Sequence, residues 1–307
     1  MTAPHPTAAV GRDGQTLEGT SRLVALVNFV KLPHTVFALP FALVGVILAS
    51  VEHPVTWRAL VWVVVAFTSA RFAAMGVNRI VDREIDGANP RTAMRELPRG
   101  VLSTRDAVIA TTTMTVLFIV AAWRLNPLCL ALSPVALAWT FGYSYTKRFT
   151  RWSHIVLGIG ISIAPVGGYL AITGAWSTPA WMLVLLSSAV AAWVAGFDIL
   201  YALQDVSFDT VRGLHSIPKD LGEGPAFMIA RALHAWTVVA LTLVGVTTGR
   251  GARWMAGVAL TAVLLMYEHR LVRPGDLRRL DAAFFTMNGI ISLAFFGCAL
   301  LDRVLGA

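Results

Sequence analysis

Charge is scarce in this chain. Asp, Glu, Lys and Arg make up 14% of its 307 residues, against about 25% in globular proteins. Cysteine is scarcer still. Cys129 and Cys298 both sit inside apolar runs, which excludes a disulfide scaffold and reads both as small buried hydrophobes. Histidine offers no zinc-type spacing: His34, His154 and His215 lie far apart, at the starts of apolar stretches or in a loop. Acidic residues number 17 against 25 basic ones, giving a net charge of +8. What fills the chain is apolar, with 56% hydrophobic residues and a mean hydropathy of +0.68. Disorder of the whole chain and collagen are excluded by the same composition. The first 20 residues are the exception. They are polar, lack the basic and apolar parts of a signal peptide, and are expected to be a disordered tail.

A membrane-spanning helix needs about 20 mostly apolar residues. Nine stretches qualify, at 34–51, 57–81, 104–123, 126–145, 153–173, 180–204, 226–248, 252–269 and 281–302, with a half-buried segment at 21–33 before the first. With the N-terminus in the cytoplasm, 18 of the 25 Lys and Arg residues fall on the cytoplasmic side. Only Arg58, Arg124, Arg250, Arg253 and Arg303 fall opposite, while Arg71 and Arg231 lie within spans. That asymmetry sets an N-in, C-out orientation. It also explains the basic charge without nucleic acid. The expected fold is an all-α polytopic membrane protein of nine transmembrane helices around a central cavity. Residues 21–307 would form one domain, in two four-helix halves (21–152 and 153–270) closed by the ninth helix, 281–302. The long polar loops lie on the cytoplasmic side, so the working face is expected there.

Two helix ends carry the acids. The second span ends in NRIVDREID, with Asn78, Asp82 and Asp86 at i, i+4 and i+8, within ~80° of arc on a continuous helix. Arg71 precedes them on the same face. The sixth span ends in DILYALQDVSFD, which aligns Asp198, Asp205 and Asp209 with Tyr201 close by. Carboxylates at a helix C-terminus oppose the macrodipole, and ionisable residues inside a membrane are functional by default. Facing carboxylate pairs suit Mg²⁺, which takes one or two carboxylates together with substrate phosphates. Basic residues on the same side would complete a diphosphate cradle: Arg91, Arg95 and Arg99, then Lys147 and Arg148, then Arg212 and Lys219. A cation-binding transporter is the alternative from another class. Clustering of the acids at one membrane face argues against it.

NxxxDxxxD and YxxxDxxxD in a nine-span chain resemble the UbiA superfamily of intramembrane prenyltransferases. The segments NRIVDREIDGANPRTAMRELPRG (78–100), YSYTKRFTRWSH (143–154), APVGGYLAITG (164–174) and FDILYALQDVSFDTVRGLHSIP (197–218) resemble its 4-hydroxybenzoate polyprenyltransferase-like branch. The resemblance implies transfer of a polyprenyl group from its diphosphate to an aromatic acid in quinone biosynthesis, in the inner (cytoplasmic) membrane. It assigns Mg²⁺ to Asp82, Asp86, Asp205 and Asp209. Substrate binding falls to Arg71, Asn78 and Tyr201, with the basic pair Lys147 and Arg148. On that mechanism Arg91 and Lys147 would contact phosphate, and Arg148 the acceptor carboxylate. Arg71 would pair Asp198 or the diphosphate, and His215 would reach phosphate. Asp198, Tyr201 and Asp205 are the expected catalytic set, with Asp198 orienting or deprotonating the phenol. His215-Ser216 stands where ubiquinone-pathway members often carry Lys-Ser. GLHSIP is more like members tied to the futalosine-type menaquinone route, whose acceptor is a dihydroxynaphthoate. Haem, tocopherol and chlorophyll-type prenylation are the alternatives within the superfamily.

Overall fold

The computed structural model describes residues 21–277, 280 and 286–306, without the side chains of 32–37. The expected tail 1–20, the side chain of His34 and residues 281–285 of the ninth stretch lie outside the described residues. Among those residues the chain is helical: α1 Arg22–Phe29, α2 Leu32–Ala49, α3 Trp57–Val81, α4 Arg83–Ala88, α5 Thr104–Leu125, α6 Pro127–Thr146, α7 Ser153–Thr173, α8 Trp181–Ala202, α9 Val206–Arg212, α10 Ile217–Leu221, α11 Glu223–Thr247, α12 Ala252–Leu271 and α13 Asn288–Leu305. Seven of these segments are long and apolar enough to cross a membrane: α3, α5, α6, α7, α8 with its continuation to Arg212, α11 and α13. In α2 the described apolar part is Ala38–Ala49. α12 carries Arg253 near its start and Glu268, His269 and Arg270 in its last turn, which dilutes its apolar character.

The boundaries have local causes. Thr56, Ser103 and Asn126 accept from backbone N–H groups three residues on and cap α3, α5 and α6, satisfying donors that a helix start leaves orphaned. Pro127 at the first position of α6 loses no bond there. α7 ends at Gly174 with φ of 65°, a left-handed conformation that glycine adopts without strain.

Packing makes two closed rings that share α2 and α7. The first runs α2–α3–α5–α6–α7. The second runs α2–α7–α8–α11–α12–α13 and returns to α2. The shared seam is close because of glycine. A Cβ at Gly45 would sit 1.9 Å from Pro165 O, and one at Gly168 2.1 Å from Ala42 O. Such backbone approach drives helix association where lipid supplies no hydrophobic contrast.

The rings differ inside. The second is filled by Phe41, Trp193, Trp254 and Phe295, with ring centroids 4.9–5.8 Å apart in successive contacts. The first borders a partly open cavity of about 350 Å³, lined chiefly by small and apolar side chains such as Ala66, Ala70, Ala74, Ala136 and Gly167. Arg71 is the charged residue in its wall.

Candidate active site

Each acidic helix end breaks at the first aspartate of its pair. α3 stops at Val81, Asp82 takes φ −92° and ψ 6°, and α4 begins at Arg83. α8 stops at Ala202, a 3₁₀ turn covers Leu203–Asp205, Asp205 takes φ −100° and ψ −1°, and α9 follows. Both aspartates lie in or beside the sparsely populated bridge region of backbone space, where many active-site residues sit. The continuous helical face expected for Asn78, Asp82 and Asp86 is therefore corrected to a helix, a turn and a second short helix.

Asp82 and Asp86 are 2% and 5% exposed and form the floor of the site. Asn78 Nδ2 donates to Asp82 Oδ2 at 3.1 Å. Lys147 Nζ lies 2.6 Å from the same oxygen. Arg148 Nη2 donates to Asp82 Oδ1 at 3.0 Å and to Val81 O at 3.1 Å. Arg95 Nη1 donates to Asp86 Oδ1 at 2.7 Å. These cations offset the carboxylates that the helix dipole disfavours. The Lys147 and Arg148 side chains are about ten times more exposed than that of Asp82, so acids make the floor and cations the rim.

One loop joins the two acidic ends. The segment after α4 folds back on Asn89, whose side chain accepts from Arg91 N at 3.0 Å. Asn89 Nδ2 then donates to Asp205 Oδ1 at 3.0 Å. The Arg91 guanidinium forks onto Asp205, with Nε donating to Oδ1 at 2.9 Å and Nη2 donating to Oδ2. Its Nη1 donates to Tyr201 Oη at 3.2 Å. A bidentate fork on carboxylate is the geometry that also recognises phosphate. Asp209 accepts from Ser216 Oγ at 3.1 Å and feels the charges of Asp205 and Lys147. Asp82, Asp86, Asp205, Asp209, Asn78, Tyr201, Arg91, Lys147 and Arg148 thus belong to one connected cluster.

Three expectations are corrected. Asp198 pairs with His154, not Arg71: His154 Nδ1 is 2.7 Å from Asp198 Oδ2. Arg71 instead lines the apolar cavity, with its buried Nε lacking a hydrogen-bond partner, and it feels the charge of Asp198 across the gap. His215 turns outward to Asp220, with Nδ1 2.9 Å from Oδ2, in a groove formed with residues 149–152. Lys219 holds the other Asp220 oxygen at 3.0 Å. Burial pushes the Asp220 carboxyl up, but hydrogen bonds from His215 and Lys219 outweigh it and hold the group below the usual range. Asn89, Ser216 and His154 were missed as site residues. Only Asn89 and Ser216 had a local signal, as polar residues just beyond each DxxxD.

The donor set at the two ends is all oxygen, which suits a hard dication. Among the described residues no three of His, Cys, Asp and Glu gather into a self-sufficient metal cage. Mg²⁺ seldom has such a cage and commonly takes part of its shell from substrate phosphates.

Residues 38–290 match the UbiA prenyltransferase family. The chain is 34% identical over 254 residues to a 4-hydroxybenzoate octaprenyltransferase of Alkalilimnicola ehrlichii, covering 81% of this chain and 83% of that one. It is 30% identical over 250 residues to the enzyme of the same name from Aeromonas hydrophila, covering 81% and 85%. Among solved structures, the apo form of a UbiA homolog from Aeropyrum pernix K1 superimposes with a TM-score of 0.82 at 32% identity, covering 89% of this chain and 99% of that one. A UbiA homolog from Archaeoglobus fulgidus bound to DMAPP and Mg²⁺ shares the fold, with a TM-score of 0.69 at 19% identity over 90% and 98% of the two chains. The transporter alternative falls with these matches: the chain is a multi-pass membrane protein that belongs to the UbiA prenyltransferase family.

Proposed function

We propose that the protein transfers a polyprenyl group from polyprenyl diphosphate to the ring of a phenolic aromatic acid, in a Mg²⁺-dependent reaction of quinone biosynthesis. The observation that carries the reading is the cluster in which Arg91–Asp205 joins the two acidic helix ends and Lys147–Asp82 ties the first of them to α6, beside an apolar cavity. Ala74 and Arg71 in the cavity wall precede Asp82 by 8 and 11 residues, roughly 12–16 Å along a helix. A diphosphate at the rim would leave its chain pointing into that space.

Arg91, Arg95, Lys147 and Arg148 would bind the diphosphate oxygens, exchanging part of their present contacts with the acids. Asp82, Asp86, Asp205 and Asp209 would hold Mg²⁺, which when bound stabilises charge on the departing diphosphate. The C1–O bond breaks with its electron pair left on the diphosphate, C1 joins the ring carbon ortho to the phenol, and the ring proton passes to a carboxylate or diphosphate oxygen of the site. The cavity excludes water from the allylic cation. Arg71 in the cavity wall feels the charge of Asp198, and the two would give a carboxylate and a phenol their partners.

The relatives' names support 4-hydroxybenzoate as the acceptor. His215, whose identity favoured a dihydroxynaphthoate, points away from the cluster, which weakens that preference. The same reading includes nine crossings, N-in and C-out, with the site on the cytoplasmic face of the inner membrane. It also includes the division into two four-helix halves.

The test supplies the protein in lipid nanodiscs with radiolabelled geranyl diphosphate, Mg²⁺ and either 4-hydroxybenzoate or a dihydroxynaphthoate. Labelled prenyl-hydroxybenzoate that disappears with EDTA and returns with Mg²⁺ is expected. Product from the naphthoate alone moves the acceptor to the other branch. No product from either acid sinks the proposal.

A further inference from the structure

Hydrogen bonds from three directions converge on the loop that follows α9. His154, the second residue of α7, is 4% exposed. Its Nδ1 lies 2.7 Å from Asp198 Oδ2, and its Nε2 lies 3.4 Å from the backbone N of Ile217. A peptide N–H can only donate, so Nε2 is the unprotonated nitrogen. Nδ1 therefore carries the hydrogen and donates it to Asp198. The peptide that selects this tautomer is itself fixed, because Ile217 is fully buried in an apolar cluster with Ile199, Leu200 and Phe227.

The two residues before Ile217 hold the other parts of the site. His215 N donates to Lys147 O at 2.8 Å. Ser216 Oγ donates to Asp209 Oδ2 at 3.1 Å. Residues 215–217 thus form a strap across the basic end of α6, the acid of α9 and the first turn of α7.

We propose that His154 is a positioning residue: it holds the Asp198 carboxylate in one rotamer, with Oδ1 presented to the acceptor phenol, and the strap keeps that carboxylate in register with the diphosphate end. The inference rests on the prenyl-transfer reading above. One bond from His154 occupies one carboxylate oxygen and leaves the other to accept from substrate. Without that bond Asp198 would be open to Arg71, which feels its charge and whose buried Nε has no hydrogen-bond partner. An Arg71–Asp198 pair would consume both groups that the acceptor needs. His154 keeps them apart, so the acceptor meets a preset geometry.

Two substitutions separate the ring nitrogens. In His154→Asn the amide nitrogen can take the place of Nδ1 and still donate to Asp198. In His154→Gln the longer amide reaches the Nε2 position, keeping Ile217 and losing Asp198. With geranyl diphosphate, Mg²⁺ and 4-hydroxybenzoate, the Gln variant is expected to lose roughly 10–100-fold in kcat/KM for the acceptor. Its KM for geranyl diphosphate stays unchanged, and the Asn variant recovers most of the loss. Equal activity of the two variants, or a loss shared by both substrates, overturns the proposal. An independent readout is ¹⁵N histidine NMR of the protein in nanodiscs, with the His154 signal identified by its loss in the Asn variant. An Nδ1–H tautomer supports the assignment and an Nε2–H tautomer overturns it, whether or not turnover is seen. Wild-type protein that prenylates no phenolic acid overturns the functional reading instead, and is told apart by the spectrum.

Discussion

The inward face of α3 in the first ring is Ala66, Ala70 and Ala74, while the second ring closes on Trp193, Trp254 and Phe295. Both rings use the same seam of α2 and α7 and similar helix lengths. In the full ring Trp193 Nε1 donates to Asn288 Oδ1 at 2.8 Å and Trp254 Nε1 to Leu241 O at 3.0 Å, while Glu268 Oε2 and His269 Nδ1 at the end of α12 have no hydrogen-bond partner. In the hollow ring a guanidinium nitrogen has no hydrogen-bond partner. Unpartnered polar atoms therefore occur in both rings, and the difference between them is packing. Full packing holds a structure together, and open space costs stability and is retained where a ligand fills it. On the proposed function, one ring is scaffold and the other takes the substrate.

The acidic ends offer the strongest way to break that division, because one follows α3 of the hollow ring and the other follows α8 of the full one. If both serve one site, Asp82→Asn and Asp205→Asn should be equally damaging. Each is expected to lower kcat by about 10³-fold or more, as removal of preorganised charge from a reacting group does, with the helical signal of the protein intact. A severe loss in only one variant would restrict the chemistry to one ring. Substitution inside the full ring should read differently. Trp193→Ala is expected to cost about 3–5 kcal/mol of stability through lost burial and a new cavity. That cost would be seen as a lowered thermal unfolding midpoint, with kcat at permissive temperature far less affected. The reverse substitution belongs in the hollow ring. Ala70→Phe adds a ring to existing space, so unfolding is expected to move little. Transfer should fall by roughly 10–100-fold, and more for a long prenyl diphosphate than for a geranyl one. Equal losses for both chain lengths would remove the cavity from the path of the chain.

Much of this comparison could be read along the chain, and its decisive part could not. α3 and α7 occupy the residues 57–81 and 153–173 that their apolar runs mark, because a span is a local property of length and hydropathy. The acids at 82, 86, 205 and 209 stood out because charge is rare in the chain as a whole. Three things were not local. The break at Asp82 is a single residue and that at Asp205 a three-residue 3₁₀ turn, and a spacing of four residues fits a helix and a helix–turn–helix alike. Arg91 reaches Asp205 across 114 residues and His154 reaches Asp198 across 44, pairings that only the assembled ends create. The alanines at 66, 70 and 74 look in sequence like a helix-packing face, and become a cavity wall because the neighbours opposite are small as well.

The smallest expected effect sharpens the edge of the site. Asp220 holds His215 and Lys219 on the outer side of the strap, whereas the strap's backbone and Ser216 face the cluster. Asp220→Asn is expected to cost only a few tenths of a kcal/mol, as ion pairs at the protein surface do. Its pH dependence carries the information. The wild-type carboxyl is held below its ordinary value by the hydrogen bonds from His215 and Lys219, against the opposing effect of burial. Its contribution is therefore complete above the ordinary aspartate pKa of about 3.9, and is lost as pH falls through the lowered value. The difference in unfolding midpoint between wild type and Asp220→Asn should be small and constant near neutrality and vanish in acid. Transfer to 4-hydroxybenzoate should keep its KM in the variant. A raised acceptor KM would mean that the outer face of the strap reaches the substrate through His215. The departure from Lys-Ser would then regain its bearing on acceptor choice.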